Sequence, residues 1–209
     1  MSPNHKYCLM SEKEKIELAN LAHNLYTGAV IVEIGTYLGG SASIMAHSNP
    51  TARIYTYDLF DGADWDPHFK FDLVKEALGP NTRRTKLNIS ELVKTYPNIE
   101  IRQSKKMQPE SFDWDGTKID LLFDDGAHAN PALRLNLNYW LPFVKENGLV
   151  AMHDYRPWLD SKDPLRWPDV EKEYERLLTI GYEKVLQVES LIVLRKCCQK
   201  TTKDLDETK

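Results

Sequence analysis

Short runs of aliphatic and β-branched residues alternate with helix-period patterns along this chain, and no other feature restricts its fold as tightly. Ala29–Ile34, Arg53–Asp58, Ile99–Gln103, Ile119–Asp124 and Leu149–His153 each have the length and composition of a strand, and Ala29–Ile34 suits burial on both faces. Ahead of the first, Ser11 with Glu14 reads as a capping box, and Leu18, Leu21, Ala22 and Leu25 predict a helix to about Tyr26. Ser41–His47 predicts the next helix. Asn130-Pro131 reads as an N-cap with proline at the first helical position, Leu133, Leu137, Trp140, Leu141 and Val144 as one apolar face, and Asn147-Gly148 as its stop. Val170, Tyr174, Leu177 and Leu178 mark another helix ending at Gly181. Tyr182–Val188 and Leu191–Arg195, joined at Glu189-Ser190, predict an antiparallel hairpin. Strands separated by helices form right-handed crossovers, so the expected class is α/β, a doubly wound, mostly parallel sheet with helices on both faces.

The 209 residues suit one domain, expected over 1–196, with 59–98 as a substrate-side insertion or lid and 197–209 as a polar, disordered tail. Within the insertion, Asp66-Pro67 and Asn88 to Glu91 read as helix starts. Apolar residues at 42% supply a core and exclude a wholly disordered chain. A net charge of −4 argues against a phosphate-backbone binder, and the clusters Arg83-Arg84-Thr85-Lys86 and Lys105-Lys106 read as solvated surface, so no nucleic-acid partner is expected. No apolar run reaches the ~18 residues of a membrane span, and MSPNHKYCLMSEKEK has no signal-peptide core. Cys8, Cys197 and Cys198 show no ligand spacing, so reduced thiols in a cytoplasmic protein are expected.

In a doubly wound sheet, ligands bind outside the carboxyl ends of the strands. Val32-Glu33-Ile34-Gly35-Thr36-Tyr37-Leu38-Gly39-Gly40-Ser41 lies at that edge. Thr36-Tyr37 stands where a pyrophosphate site needs a close glycine, which speaks against a dinucleotide, and no Gly-Lys-Ser/Thr follows for a P-loop. The glycines would also serve a plain strand-to-helix turn. Taken with Glu33, Ser41 and Asp58, they suit S-adenosylmethionine, a cation without phosphate. Glu33 suits its ammonium, the helix N–H groups and Ser41 its carboxylate, and Asp58 its ribose diol.

These residues resemble those of the class I S-adenosylmethionine-dependent methyltransferases. VEIGTYLGGSA resembles the turn of catechol-type metal-dependent O-methyltransferases. DLLFDDGAH and GLVAMHDY are similar to the branch holding macrolide-sugar O-methyltransferases and cephalosporin-hydroxylase-like proteins. The resemblance spans roughly Leu18 to Arg195 and implies a Rossmann-like sheet of seven strands with a C-terminal antiparallel hairpin. It also implies Gly35, Thr36, Tyr37, Gly39, Ser104 and Asp125 among the cofactor contacts, and methyl transfer to a hydroxyl of a small molecule. In relatives the N-terminal helix serves dimer contacts, which makes a homodimer an expectation.

By the same resemblance, Asp125 matches the first metal-ligating aspartate, His153-Asp154 the later acidic pair, and His128 the residue that takes the hydroxyl proton. A divalent cation would lower the pKa of an acceptor hydroxyl and fix its position. Carboxylates suit Mg2+, whereas histidine at 153 admits Mn2+ or Fe2+ beside it, or orients substrate instead of ligating. Asp125, His128 and His153 are thus the candidate catalytic residues, and Asp125, His153 and Asp154 the candidate metal ligands. Trp65, Trp114, Trp158 and Trp167 read as pocket walls or as packing. A hydroxylase-like metalloenzyme and a non-catalytic S-adenosylmethionine-binding domain are the alternative readings.

Overall fold

The computed structural model describes residues 7–60, 76–78 and 85–198. Trp65, Asp66-Pro67, Arg83-Arg84, most of the 59–98 insertion and residues 199–209 lie outside them. Seven strands form one sheet: β1 (Val30–Ile34), β2 (Arg53–Asp58), β3 (Ile99–Gln103), β4 (Ile119–Asp124), β5 (Val144–Met152), β6 (Tyr182–Val188) and β7 (Leu191–Lys196). Their spatial order is β3-β2-β1-β4-β5-β7-β6. The first five pair in parallel, and β7 runs antiparallel between β5 and β6. The expected seven-stranded α/β sheet with a C-terminal hairpin is therefore present. The order reverses between β1 and β4, which sets the crevice between those two strand ends.

Strand alternation splits the core into two layers. Ile31, Ile54, Leu121, Phe123, Ala151 and Val193 face the helices α1 (Glu12–His23) and α2 (Gly40–Ser48). Val32, Ile34, Leu122, Val150, Met152 and Leu194 face α4 (Ala132–Trp140) and α5 (Pro168–Thr179), where Leu133, Leu137, Trp140, Val170 and Leu177 close the layer. Each such aliphatic side chain contributes about 1.5–3 kcal/mol on full burial. Between the layers' edges, α3 (Lys86–Val93) buries Ile89 and Val93 against Leu38.

The capping box forms as expected: Ser11 Oγ accepts from the Glu14 N–H and Glu14 Oε2 accepts from the Ser11 N–H. The helix ends at His23, short of Tyr26, because Asn49 at the end of α2 donates its side-chain amide to the Ala22 and Leu25 carbonyls and so replaces their helical partners. Helix α3 starts at Thr85, whose hydroxyl accepts from the Asn88 N–H, rather than within Asn88 to Glu91. Helix α4 begins at Ala132, one residue beyond the expected Pro131 start, while Asn130 Oδ1 still accepts from the Arg134 N–H.

Asn147-Gly148 does not stop that helix. Pro142 has no N–H to continue it, so it ends at Trp140 and passes through a single 3-10 turn, Leu141–Phe143, into β5. Asn147, at φ 63°, makes a tight excursion within β5, across which the pairing jumps from Ile119↔Val144 to Leu121↔Leu149. Val144 accordingly belongs to the strand. No described helix is long and apolar enough to cross a membrane.

Candidate functional site

The turn after β1 is held by backbone geometry that few sequences allow. Gly35 sits at φ 98°, and a Cβ there would stand 2.3 Å from the Asp125 carbonyl oxygen, so only glycine lets the β1 and β4 exits lie side by side. Gly39 caps α2 from the left-handed region at φ 75°, and a Cβ there would meet Val93 at 2.6 Å. Between them, Tyr37 also adopts a positive φ, 47°. Its N–H donates to Asp58 Oδ2 at 2.8 Å, tying the turn to the end of β2. Asp58 Oδ1 accepts more weakly from Phe60 N–H.

Glu33 is completely buried on the α2 side of β1. Hydroxyls of Ser41 and Thr56 hydrogen-bond its two oxygens, and Thr36 Oγ1 lies 2.6 Å from Thr56 Oγ1. Burial pushes the Glu33 carboxyl up to about 8, against the two hydroxyls and with the charges of Asp125 and Asp58 adding to the rise. Ser41 is thus engaged with Glu33 itself. Ser104, fully buried after β3, places its hydroxyl against Ser111 and accepts from the Met107 N–H at 3.0 Å.

Across the crevice, the ends of β4 and β5 bring three groups together. Donor atoms of Asp125, His128 and Asp154 all lie within 4.8 Å of one another. His128 Nε2 stands 3.3 Å from Asp154 Oδ2 and 3.6 Å from Asp125 Oδ1. The Trp167 ring packs on the His128 imidazole with centroids 5.1 Å apart, and Arg156 contacts Asp154 Oδ1 at 2.6 Å. Asp154 holds φ 63°, a left-handed conformation that turns its carboxylate back toward His128.

His153 lies behind this group. Its Nδ1 is 3.1 Å from Asp125 Oδ1, and its Nε2 is 3.2 Å from Ser190 Oγ and 3.5 Å from Glu14 Oε2. Burial disfavours the imidazolium, but Asp125 and Glu14 outweigh it and raise the His153 pKa well above the ordinary value. The reciprocal effect holds Asp125 ionised well below the usual carboxylate range despite its own burial, with His153 the leading cause and His128 adding to it. His128 is raised in the same way: the nearby carboxylates of Asp125 and Asp154 outweigh the penalty of burial. Neighbouring Asp124 lies on the α4 side of β4, where burial raises it to about 7, and among the described residues only Gly126 N–H donates to its side chain.

The residues singled out in the sequence therefore fall into two groups: Glu33, Gly35, Thr36, Tyr37, Gly39, Ser41, Asp58 and Ser104 around the ends of β1 to β3, and Asp125, His128, His153 and Asp154 beyond β4 and β5. Within the second group both imidazoles meet both carboxylates: His128 through Nε2 as given above, and His153 Nδ1 at 3.1 Å from Asp125 Oδ1 and 3.5 Å from Asp154 Oδ1. Glu14, Ser190 and Arg156 are site neighbours that sequence reading did not assign; Glu14 signals only a helix cap, and its partner Ser190 is 176 residues away. Trp167, a candidate pocket wall, does lie at the site against His128. Two of the candidate pocket walls lie elsewhere: Trp114 packs on Trp140 in the core, and Trp158 is exposed.

A family model described as a methyltransferase domain matches residues 32–155, from the first strand through the Asp154 turn. The chain belongs to that methyltransferase family. Solved structures share its fold at low identity. One, from Klebsiella pneumoniae and provisionally named an O-methyltransferase, is 16% identical with a TM-score of 0.64, covering 95% of this chain and 91% of that one. The O-methyltransferase TomG of Streptomyces achromogenes, solved with S-adenosylmethionine and described as involved in tomaymycin synthesis, is 16% identical with a TM-score of 0.60, covering 90% and 82%. An O-methyltransferase of Bacillus cereus, solved with S-adenosylhomocysteine, is 15% identical with a TM-score of 0.59, covering 90% and 82%. A search of curated proteins finds no match. The protein is thus a methyltransferase of the class I, S-adenosylmethionine-dependent type, on the seven-stranded sheet expected.

Proposed function

We propose that this methyltransferase moves the methyl group of S-adenosylmethionine to a hydroxyl of a small molecule, with a divalent cation at the ends of β4 and β5. The observation that carries the reading is the convergence of Asp125, His128 and Asp154 within 4.8 Å, beside a glycine turn whose backbone touches Asp125. Two hard carboxylates side by side are donors that Mg2+, Mn2+ or Fe2+ accepts, with the His128 imidazole beside them as a base. Asp125 and Asp154 would hold the cation, whose chemistry is to lower the pKa of the acceptor hydroxyl.

The chain's own groups supply the rest. Glu33 is assigned to the cofactor's ammonium, Asp58 to its ribose and the free N–H groups opening α2 to its carboxylate; in the cofactor-free protein Glu33 is buried and engaged by Ser41 and Thr56. Ser104, at the end of β3, lies toward the adenosine end. His128 Nε2 receives the acceptor's proton, and the two carboxylates flanking it stabilise the imidazolium that forms. Trp167 on the imidazole face limits ring rotation and keeps water from that side. Positioning dominates the catalysis, because the sulfonium is already a strong leaving group.

The acidic net charge favours a small hydroxyl acceptor over a nucleic acid. The deciding experiment compares Asp125→Ala with the wild type, using S-adenosylmethionine calorimetry and methyl transfer to a panel of phenols, catechols and sugars. Retained cofactor binding with lost transfer is expected. Wild-type transfer by the variant would refute the roles assigned to the cluster.

A further inference from the structure

Glu14 has more partners than a helix cap requires. Its side chain comes from the first turn of α1 and is 3% exposed. One oxygen takes the Ser11 N–H at 2.9 Å in the capping box. The other takes both the N–H and the hydroxyl of Ser190, at 2.7 and 2.6 Å, from the turn between β6 and β7. Since Ser190 donates its hydroxyl proton to Glu14, the 3.2 Å contact between Ser190 Oγ and His153 Nε2 is a donation by the imidazole. The other ring nitrogen lies 3.1 Å from Asp125 Oδ1, a carboxylate that can only accept, and farther, at 3.5 Å, from Asp154 Oδ1. The ring is therefore clamped at both ends, by α1 and the β6–β7 turn on one side and by Asp125 on the other. Burial of a carboxylate costs several kcal/mol unless it is paired and hydrogen-bonded, and Glu14 meets both conditions only in this arrangement.

We propose that Glu14, acting through His153, is a positioning residue for Asp125, so that the N-terminal helix fixes one carboxylate of the cation site. The inference rests on the cation site proposed above. His153 serves as the link in a carboxylate–histidine–carboxylate chain, with no ligand role of its own.

The test titrates Mn2+ alone into wild type, Glu14→Gln, His153→Gln and the double variant by calorimetry, with S-adenosylmethionine affinity and melting temperature measured alongside. Glu14→Gln keeps the shape of the cap and removes the charge. It is expected to weaken Mn2+ binding by about 10- to 100-fold, the usual effect of removing an outer partner of a metal ligand. Cofactor affinity should stay unchanged, whereas a purely structural role would lower both affinities together. The double variant should bind no more weakly than His153→Gln, because the two residues act in series. Wild-type Mn2+ affinity in folded Glu14→Gln, or losses that multiply in the double variant, overturns the proposal alone. Absence of Mn2+ binding by the wild type overturns the cation site and this inference with it. If Glu14→Gln does not fold, Ser190→Ala removes only the bridging hydroxyl. It should weaken Mn2+ in the same direction, and unchanged affinity there is the overturning result.

Discussion

Replacing Glu33 with glutamine is expected to stabilise the cofactor-free protein increasingly as pH rises, by an amount that follows from its burial. The Glu33 carboxyl has its two hydroxyl partners but no cation among the described residues, and it titrates near 8 instead of its ordinary value near 4.5. Below the lower value it is neutral in both folded and unfolded chains and has no effect. Between the two values the unfolded chain ionises while the folded one keeps its proton, so stability falls as pH rises. The loss levels off above the folded value. At about 1.4 kcal/mol per pKa unit, the fall between pH 5 and pH 8 amounts to roughly 3 kcal/mol from this one group. Glutamine has the same shape and does not titrate. The stability difference, Glu33→Gln minus wild type, should therefore grow by that amount, or roughly 6–12 °C in melting temperature for a chain of this size. Urea unfolding of both proteins across that pH range measures it, and the subtraction cancels groups that titrate alike in both. Parallel pH profiles would show that Glu33 is ionised in the folded state and would refute the reasoning. The same substitution should weaken S-adenosylmethionine binding, since it removes the charge assigned to the ammonium.

Two further outcomes test other parts of the site. His128→Gln should lower kcat by about 100- to 10,000-fold and abolish the fall of kcat toward acid pH, because only the neutral imidazole accepts a proton. Its Mn2+ affinity should stay within a few-fold of wild type; a large loss would make His128 a ligand instead. Gly35→Ala should destabilise the fold by well over about 1 kcal/mol and abolish cofactor binding, since its Cβ would stand 2.3 Å from a backbone oxygen at a φ of 98°. Wild-type melting and cofactor affinity in that variant would contradict the close packing of the β1 and β4 exits.

The strands were legible because a parallel sheet covered on both faces needs continuous apolar runs, and the ends of β2, β3 and β4 fall where those runs end. Helix ends were less legible wherever a distant group decides them. Asn49 terminates α1 from the end of α2, and nothing local to Tyr26 announces it. At α4, the apolar spacing continued through Leu141 and Val144, so Asn147-Gly148 looked like the stop, although Pro142 had already ended the helix. In the site, Asp125, His128 and Asp154 were legible from their places just beyond two adjacent strands. That His153 also reaches back to Ser190 and Glu14 was not, because those partners come from elements far away in sequence. The pairing of Ser41 with Glu33 escaped notice for a similar reason: a hydroxyl opening a helix suits a ligand carboxylate equally well until the buried acid behind it is placed.

The most direct test of the proposed reaction follows S-adenosylhomocysteine formation by mass spectrometry with the hydroxyl panel, in protein stripped by exhaustive chelation and then resupplied with Mg2+ or Mn2+. Turnover with at least one acceptor, lost on stripping and restored by the cation, is the predicted result. Turnover that persists unchanged in the stripped protein would contradict the cation held by Asp125 and Asp154.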